Sequence, residues 1–208
     1  MNMTSNPGAK PEPEPEPEPE QEPLSATDYA IYNRLAEKMS HIHKEFRSTW
    51  RTLKTACSEF QTQTQAKADA DCEMDDTELL MMALSFVDSL SNHHSIEEKF
   101  IFPALAARMP EFAPSGVLVG QHEIIHDGLV RTKSFLRRCE RFLDGEADDY
   151  GGRMGEMLDR GKLLGILEGE NGDFERVLWC HLDEEVEALR AENMRLYWGA
   201  EEIRRLPM

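Results

Sequence analysis

The chain has 208 residues, 40% of them apolar, and a formal net charge of −17. That length and apolar content fit one core plus a tail. The acidic excess argues against nucleic acid and anionic membranes as partners, because phosphates are repelled, and no apolar run approaches the ~20 residues that span a bilayer.

The first 23 residues carry six Glu and one Lys, with five Pro-Glu repeats from Pro11 to Glu20. Proline blocks helix and sheet and like charges repel, so residues 1–23 read as an extended, solvated acidic tail. Met1–Lys10 lacks the apolar stretch of a secretory leader. The cysteines Cys57, Cys72, Cys139 and Cys180 show no Cys-x-x-Cys spacing and read as free thiols of a reducing compartment, which places the protein in the cytoplasm. Cys180, beside His181, is the candidate for redox chemistry.

From Ser25 the pattern turns helical. Ile31, Leu35, Met39, Ile42, Phe46, Trp50, Leu53, Cys57 and Phe60 recur at threes and fours and predict a first helix over 25–60. Leu79, Ala83, Phe86, Leu90, His93, Glu97, Phe100 and Ile101 predict a second over 77–108. Pro110 and Pro114 mark the following turn. Leu118, His122, Ile125, His126, Leu129, Leu136 and Leu143 predict a third over 115–144. Residues 145–171, rich in Gly, Asp and Glu, read as an insertion in which Met154–Leu167 can form a short helix. Phe174, Leu178, His181, Glu185, Leu189 and Leu196 predict a fourth over 172–198. Four helices of about 27–36 residues, with no strand signal, predict an all-α, up-down-up-down four-helix bundle over 24–200. Residues 201–208 then form a C-terminal tail.

The histidines carry the chemistry. At 100° per residue, His43 falls about 60° from the centre of its apolar stripe and His41 about 140° away, so His43 faces the core. On the second helix, His93 and Glu97 stand four apart on the inner face, with Glu97 near the centre. His94 is placed much like His93 and stays open as an alternative, whereas Glu98 lies about 90° off. His122 and His126 put two rings on the inner side of the third helix, and His181 and Glu185 repeat the four-residue spacing on the fourth. Five inward histidines and two inward glutamates are hard to satisfy by packing, since each unsatisfied polar group costs about 1–3 kcal/mol. A metal removes that cost. Imidazole with carboxylate suits iron, manganese or zinc, and seven ligands exceed one octahedral ion. The Glu-x-x-His spacing of ferritin-like dinuclear bundles occurs here in Glu123-Ile-Ile-His126, and once is not enough for that site.

These residues resemble the hemerythrin-like (HHE cation-binding) family, and its fungal type in particular. The resemblance rests on His43, His93-x-x-x-Glu97, His122-x-x-x-His126 and His181-x-x-x-Glu185 in order, together with the runs His93-His94-x-x-Glu97-Glu98, Phe102-Pro103 and His181-Leu-Asp-Glu-Glu185, and it covers about 25–198. It implies a non-haem di-iron centre. His122, His126 and His181 would hold one iron, His43 and His93 the other, with Glu97 and Glu185 bridging. The second iron keeps a vacant position at which O2 or peroxide binds. The helix-four carboxylate, Glu185, follows the wider family's variant rather than the respiratory proteins' Asp five residues after the histidine. The function implied is an O2 or peroxide carrier, a sensor, or an iron buffer rather than an enzyme. A di-iron oxidase or peroxide-consuming enzyme and a metal-braced interaction module are the alternatives.

Overall fold

The structure, a computed structural model, describes residues 22–63, 74–145, 155–169 and 172–207, with the backbone alone over 59–63. The Pro-Glu repeats and Cys72 lie outside the described residues. Four long helices dominate: α1 (Ala26–Gln63), α2 (Asp76–Ile96), then, beyond a π-helical turn (Glu97–Ile101), the short α3 (Phe102–Leu105) and a 3-10 turn (Pro110–Phe112), α4 (Val117–Leu143). α5 (Arg160–Glu168) precedes the fourth long helix, α6 (Asp173–Ala188), and the short helices α7 (Ala191–Tyr197) and α8 (Ala200–Ile203) follow it.

The ends of these helices are written locally. Ser25 Oγ accepts the Asp28 N–H at 3.1 Å at the start of α1. Asp75 and Glu78 form a reciprocal capping box on α2, at 2.8 and 3.3 Å, and Asp159 Oδ1 accepts the Lys162 N–H on α5 at 2.9 Å. Such caps satisfy N–H groups that have no partner within the helix.

Cross-helix pairs fix the topology. Trp50 packs on Phe86 while His43 meets His93, so α1 and α2 run antiparallel. Lys133 pairs with Asp88 while His122 stacks on His94, which sets α2 against α4. Gln121 meets Glu184 and Gly128 abuts Phe174, setting α4 against α6. Lys54 pairs with Glu175 and Arg47 with Asp183, closing α6 onto α1. The result is the expected up-down-up-down bundle.

The apolar interior is in two parts. The larger holds Trp50, Leu53, Phe86, Leu90, Ile125, Phe135, Phe174 and Leu178 with their neighbours. The smaller, at the other end, holds Leu35, Met39, Ile101, Phe102, Leu118, Leu189 and Met194. Between them every long helix contributes polar residues instead: His43 lies between Met39 and Phe46, His93 to Glu97 between Leu90 and Ile101, His122 between Leu118 and Ile125, and His181 and Glu185 between Leu178 and Leu189.

Three features depart from the periodic reading. The second predicted helix is continuous only because it widens: Pro103 has no N–H for the Lys99 carbonyl, and the Phe102 N–H bonds Glu97 O instead, five residues back. A proline ring collides with the carbonyl four residues earlier, and a π turn relieves that collision. The widened turn shifts the phase, so Phe100 is exposed while Ile101 and Phe102 are buried. The segment read as an insertion contributes to the core through Leu158, Leu163 and Leu167. Buried Arg160 donates there to Asp76 Oδ1 at 2.9 Å, to Ala56 O at 3.1 Å and to Met74 O at 2.6 Å. Finally, the fourth helix breaks at Leu189–Arg190, α7 packs on α1, and Ile203 of the expected C-terminal tail is fully buried.

Candidate metal centre

Two groups of four donors meet in the polar belt. His43, His93, Glu97 and Glu185 form one; His94, Glu97, His122 and His181 form the other; within each, the donor atoms lie within 4.8 Å of one another. Glu97 belongs to both. The structure thus brings together six of the seven expected residues and adds His94. Glu97 is flanked by His93 four residues back and His94 three residues back, one to each side, so one carboxylate can serve both rings. That double flank is the signal in the sequence for His94.

His126 is the exception: it is exposed and lies outside both groups. The buried face of α4 steps from His122 to Ile125, then to Leu129 and Thr132. Position 126 is one residue, about 100°, beyond Ile125 on the solvent side. His41 is exposed, as expected from its phase.

In the first group, His43 Nε2 lies 3.2 Å from His93 Nε2 and 3.3 Å from Glu185 Oε2, and His93 Nε2 lies 2.7 Å from Glu97 Oε1. In the second, His122 Nε2 lies 3.0 Å from His181 Nε2 and 3.5 Å from Glu97 Oε2. Neighbouring donors each about 2.1 Å from one ion stand roughly 3.0–3.4 Å apart, so this spacing fits a cation in each group.

Hydrogen bonding orients the rings for that task. His43 Nδ1 faces Leu182 O at 3.0 Å, His122 Nδ1 faces Glu98 Oε1 at 2.8 Å, and His181 Nδ1 faces Gln121 Oε1 at 3.1 Å. Each partner is an acceptor, so the proton sits on Nδ1 and the Nε2 lone pair points inward. Outer partners of this kind hold metal-ligating histidines in place. Inside, His94 Nε2 and both oxygens of Glu97 and of Glu185 have no hydrogen-bond partner, although Glu97 and Glu185 are fully buried. Five orphaned, converging lone-pair atoms are a poor protein interior and a good cation site.

The proton equilibria agree. Burial holds the His181 imidazolium down to about 3, and burial also lowers His93 and, further, His94. These rings are therefore neutral, the form that binds metal. Burial also opposes charge on His122, but Glu97 and Glu98 beside it outweigh burial and raise it. Burial and the nearby Glu185 push the Glu97 carboxyl up to about 8. Glu185 meets the same burial penalty, yet His43, 3.3 Å away, and the surrounding imidazoles keep it below the usual range. One of the two carboxyls thus carries a proton that a cation would displace.

The three described cysteines lie outside both donor groups. Burial pushes the Cys57 and Cys139 thiols up to about 11. Exposed Cys180 donates to Glu184 Oε1 at 3.0 Å, and that carboxylate raises its pKa, which disfavours the nucleophilic thiolate.

Among the described residues, no helix is long and apolar enough to cross a membrane. Neither the curated proteins nor the solved structures yield a match to this chain. Residues 58–191 match the hemerythrin HHE cation binding domain, a stretch that takes in every residue of the two donor groups except His43 on α1. The chain belongs to the hemerythrin HHE cation-binding family.

Proposed function

We propose that the two donor groups form a dinuclear non-haem iron centre that takes up iron and binds O2 or peroxide, acting as carrier, sensor or iron buffer. The observation that carries this reading is Glu97, fully buried and shared by both groups, with both oxygens lacking hydrogen bonds. His43 and His93 would hold one ion, His94, His122 and His181 the other, with Glu97 and Glu185 between them. His94 takes the place the sequence assigned to His126. A bound iron pair supplies electrons and an exchangeable coordination position for a diatomic ligand.

The protein's part is to hold and orient. Leu182 O, Glu98 and Gln121 fix the imidazole tautomers. Phe46, 5.2 Å from His93, and Phe102, 4.8 Å from His122, close the belt with apolar rings that limit water. Glu97 gives up a proton as a cation arrives. The unpaired thiols Cys57, Cys139 and Cys180 fit a reducing, cytoplasmic setting.

Metal content and the optical spectrum of anaerobically purified protein, before and after air, test the reading. About two irons per chain and new near-ultraviolet and visible bands on exposure to air are expected, from the two donor groups. A single zinc with a silent spectrum would overturn it. Sustained turnover with a reductant or peroxide would instead favour a di-iron oxidase or peroxide-consuming enzyme.

A further inference from the structure

The Glu123-Ile-Ile-His126 element takes no part in the buried centre, yet it lies beside it. Glu123, His126 and Asp127, at i, i+3 and i+4 on α4, share one helix face. With Glu98, Val119 and His122 they line an open pocket of about 590 Å³. His122 is the wall between two compartments. Its Nδ1 meets Glu98 Oε1 on the pocket side at 2.8 Å, and its Nε2 looks into the donor group that holds His181 and Glu97. Behind it, the His94 ring stacks at 4.2 Å, is 95% buried, and has no partner for its Nε2.

From this juxtaposition we infer that the Glu98–Glu123–His126–Asp127 pocket is the loading port of the metal centre, where a hydrated divalent cation is captured before it passes His122. The inference rests on the dinuclear reading above. Three carboxylates and one imidazole suit first-row divalent ions such as Fe(II), Mn(II) and Zn(II). They concentrate cations by charge and bind weakly, because the pocket is open to water and its donors are not caged. Glu98 links capture to transfer. A cation beside it competes for the carboxylate that holds His122, which frees the ring to turn and admit the ion to His94 and Glu97. The opposite group offers no such route among the described residues that flank it: His43 is tied to a backbone carbonyl, and His93 lies against Phe46. No oxidation is involved. The ion exchanges water for protein donors, and protons leave to solvent.

The test is the rate of loading of the full-length, metal-free protein with cobalt(II), followed by stopped-flow absorbance. The Glu123→Gln/Asp127→Asn double variant and His126→Ala are compared with wild type. Glu45→Gln/Glu192→Gln, the same charge change at exposed sites elsewhere, is the control. The port predicts uptake slowed roughly tenfold or more in both pocket variants, by loss of local charge steering in the double variant and of a capturing donor in His126→Ala, with normal rates in the control. Ions bound at saturation and the melting temperature of the loaded protein stay at wild-type values. The wild-type rate also falls with added salt more steeply than that of the double variant. Wild-type rates in the pocket variants, or equal slowing in the control, overturn the inference. Fewer ions at saturation would make these residues ligands rather than a route, and also overturn it. A wild-type chain that takes up no cobalt and no iron would instead overturn the dinuclear centre itself.

Discussion

The two halves of the metal centre share Glu97 and differ in what stands behind them. The His43–His93 half is sealed: one ring is held by the Leu182 carbonyl, the other packs against Phe46. The His94–His122–His181 half is wired to solvent. His122 leads to Glu98, whose side chain is 54% exposed, and His181 leads through Gln121 to exposed Glu184. The two donor groups are thus asymmetric in their supports while nearly symmetric in their donors. On the proposed reading the sealed side resists change and the wired side is where ions and protons exchange.

The sharpest way to break this comparison is to remove what the halves share. Glu97→Ala is expected to lose both ions, and added iron should then no longer raise the melting temperature; retention of two ions by elemental analysis would mean that Glu97 does not bridge. Next in size, His43→Ala and His94→Ala should each leave about one ion per chain, since each strips one donor group. His126→Ala should leave two. If His126→Ala instead matched His94→Ala in metal content, the ligand would be His126 after all.

Smaller effects separate the wired side from the sealed one. Glu98→Gln should weaken the ion on the His122 side by about 10–100-fold, the usual cost of an outer hydrogen-bond partner, and leave the other site unchanged in a metal titration. The proton on Glu97 gives a pH signature. With its carboxyl pushed up to about 8, metal-free protein at pH 7 carries a proton there that loading releases. Calorimetry in buffers of different ionisation enthalpy should show that release at pH 7 and its loss by pH 9. The stabilising contribution of a raised carboxyl is complete below its ordinary range and is lost as pH rises through about 8. The metal-free protein should therefore lose melting temperature from about pH 4.5 to about 8 through this group and change little above that, and the loaded protein should not. Least of all, Cys180→Ser should alter neither metal content nor spectrum.

The bundle was legible because its signal is distributed. Apolar residues at threes and fours from Ile31 to Leu196 report helix faces redundantly, and a local irregularity does not erase them. The irregularities themselves were hidden. Pro103 marks a disturbance without saying whether the helix ends or widens, and with the widening Phe100 of the expected stripe faces outward and Phe102 inward. The polar composition of residues 145–171 masked Leu163 and Leu167, whose burial depends on partners elsewhere in the chain. Among the candidate ligands, four-residue spacing found His93–Glu97 and His181–Glu185, because both members lie close to the stripe centre. The same spacing misplaced His126: a stripe that advances by three after His122 carries it past the boundary. Side chains near that boundary cannot be assigned from phase alone, and His94 on α2 was the mirror case.

The polar belt divides the apolar interior into two bodies, neither continuous with the other. A domain of this length ordinarily has only about 5–15 kcal/mol of stability. Here its four long helices cross a band of orphaned lone pairs halfway along. An ion that binds only the folded chain adds about 4 kcal/mol at a thousandfold excess over its dissociation constant. Occupancy therefore sets a large share of the folding equilibrium. Supply of the metal would then act on the lifetime of the protein, with the unloaded chain opening more often at its waist and meeting proteases there.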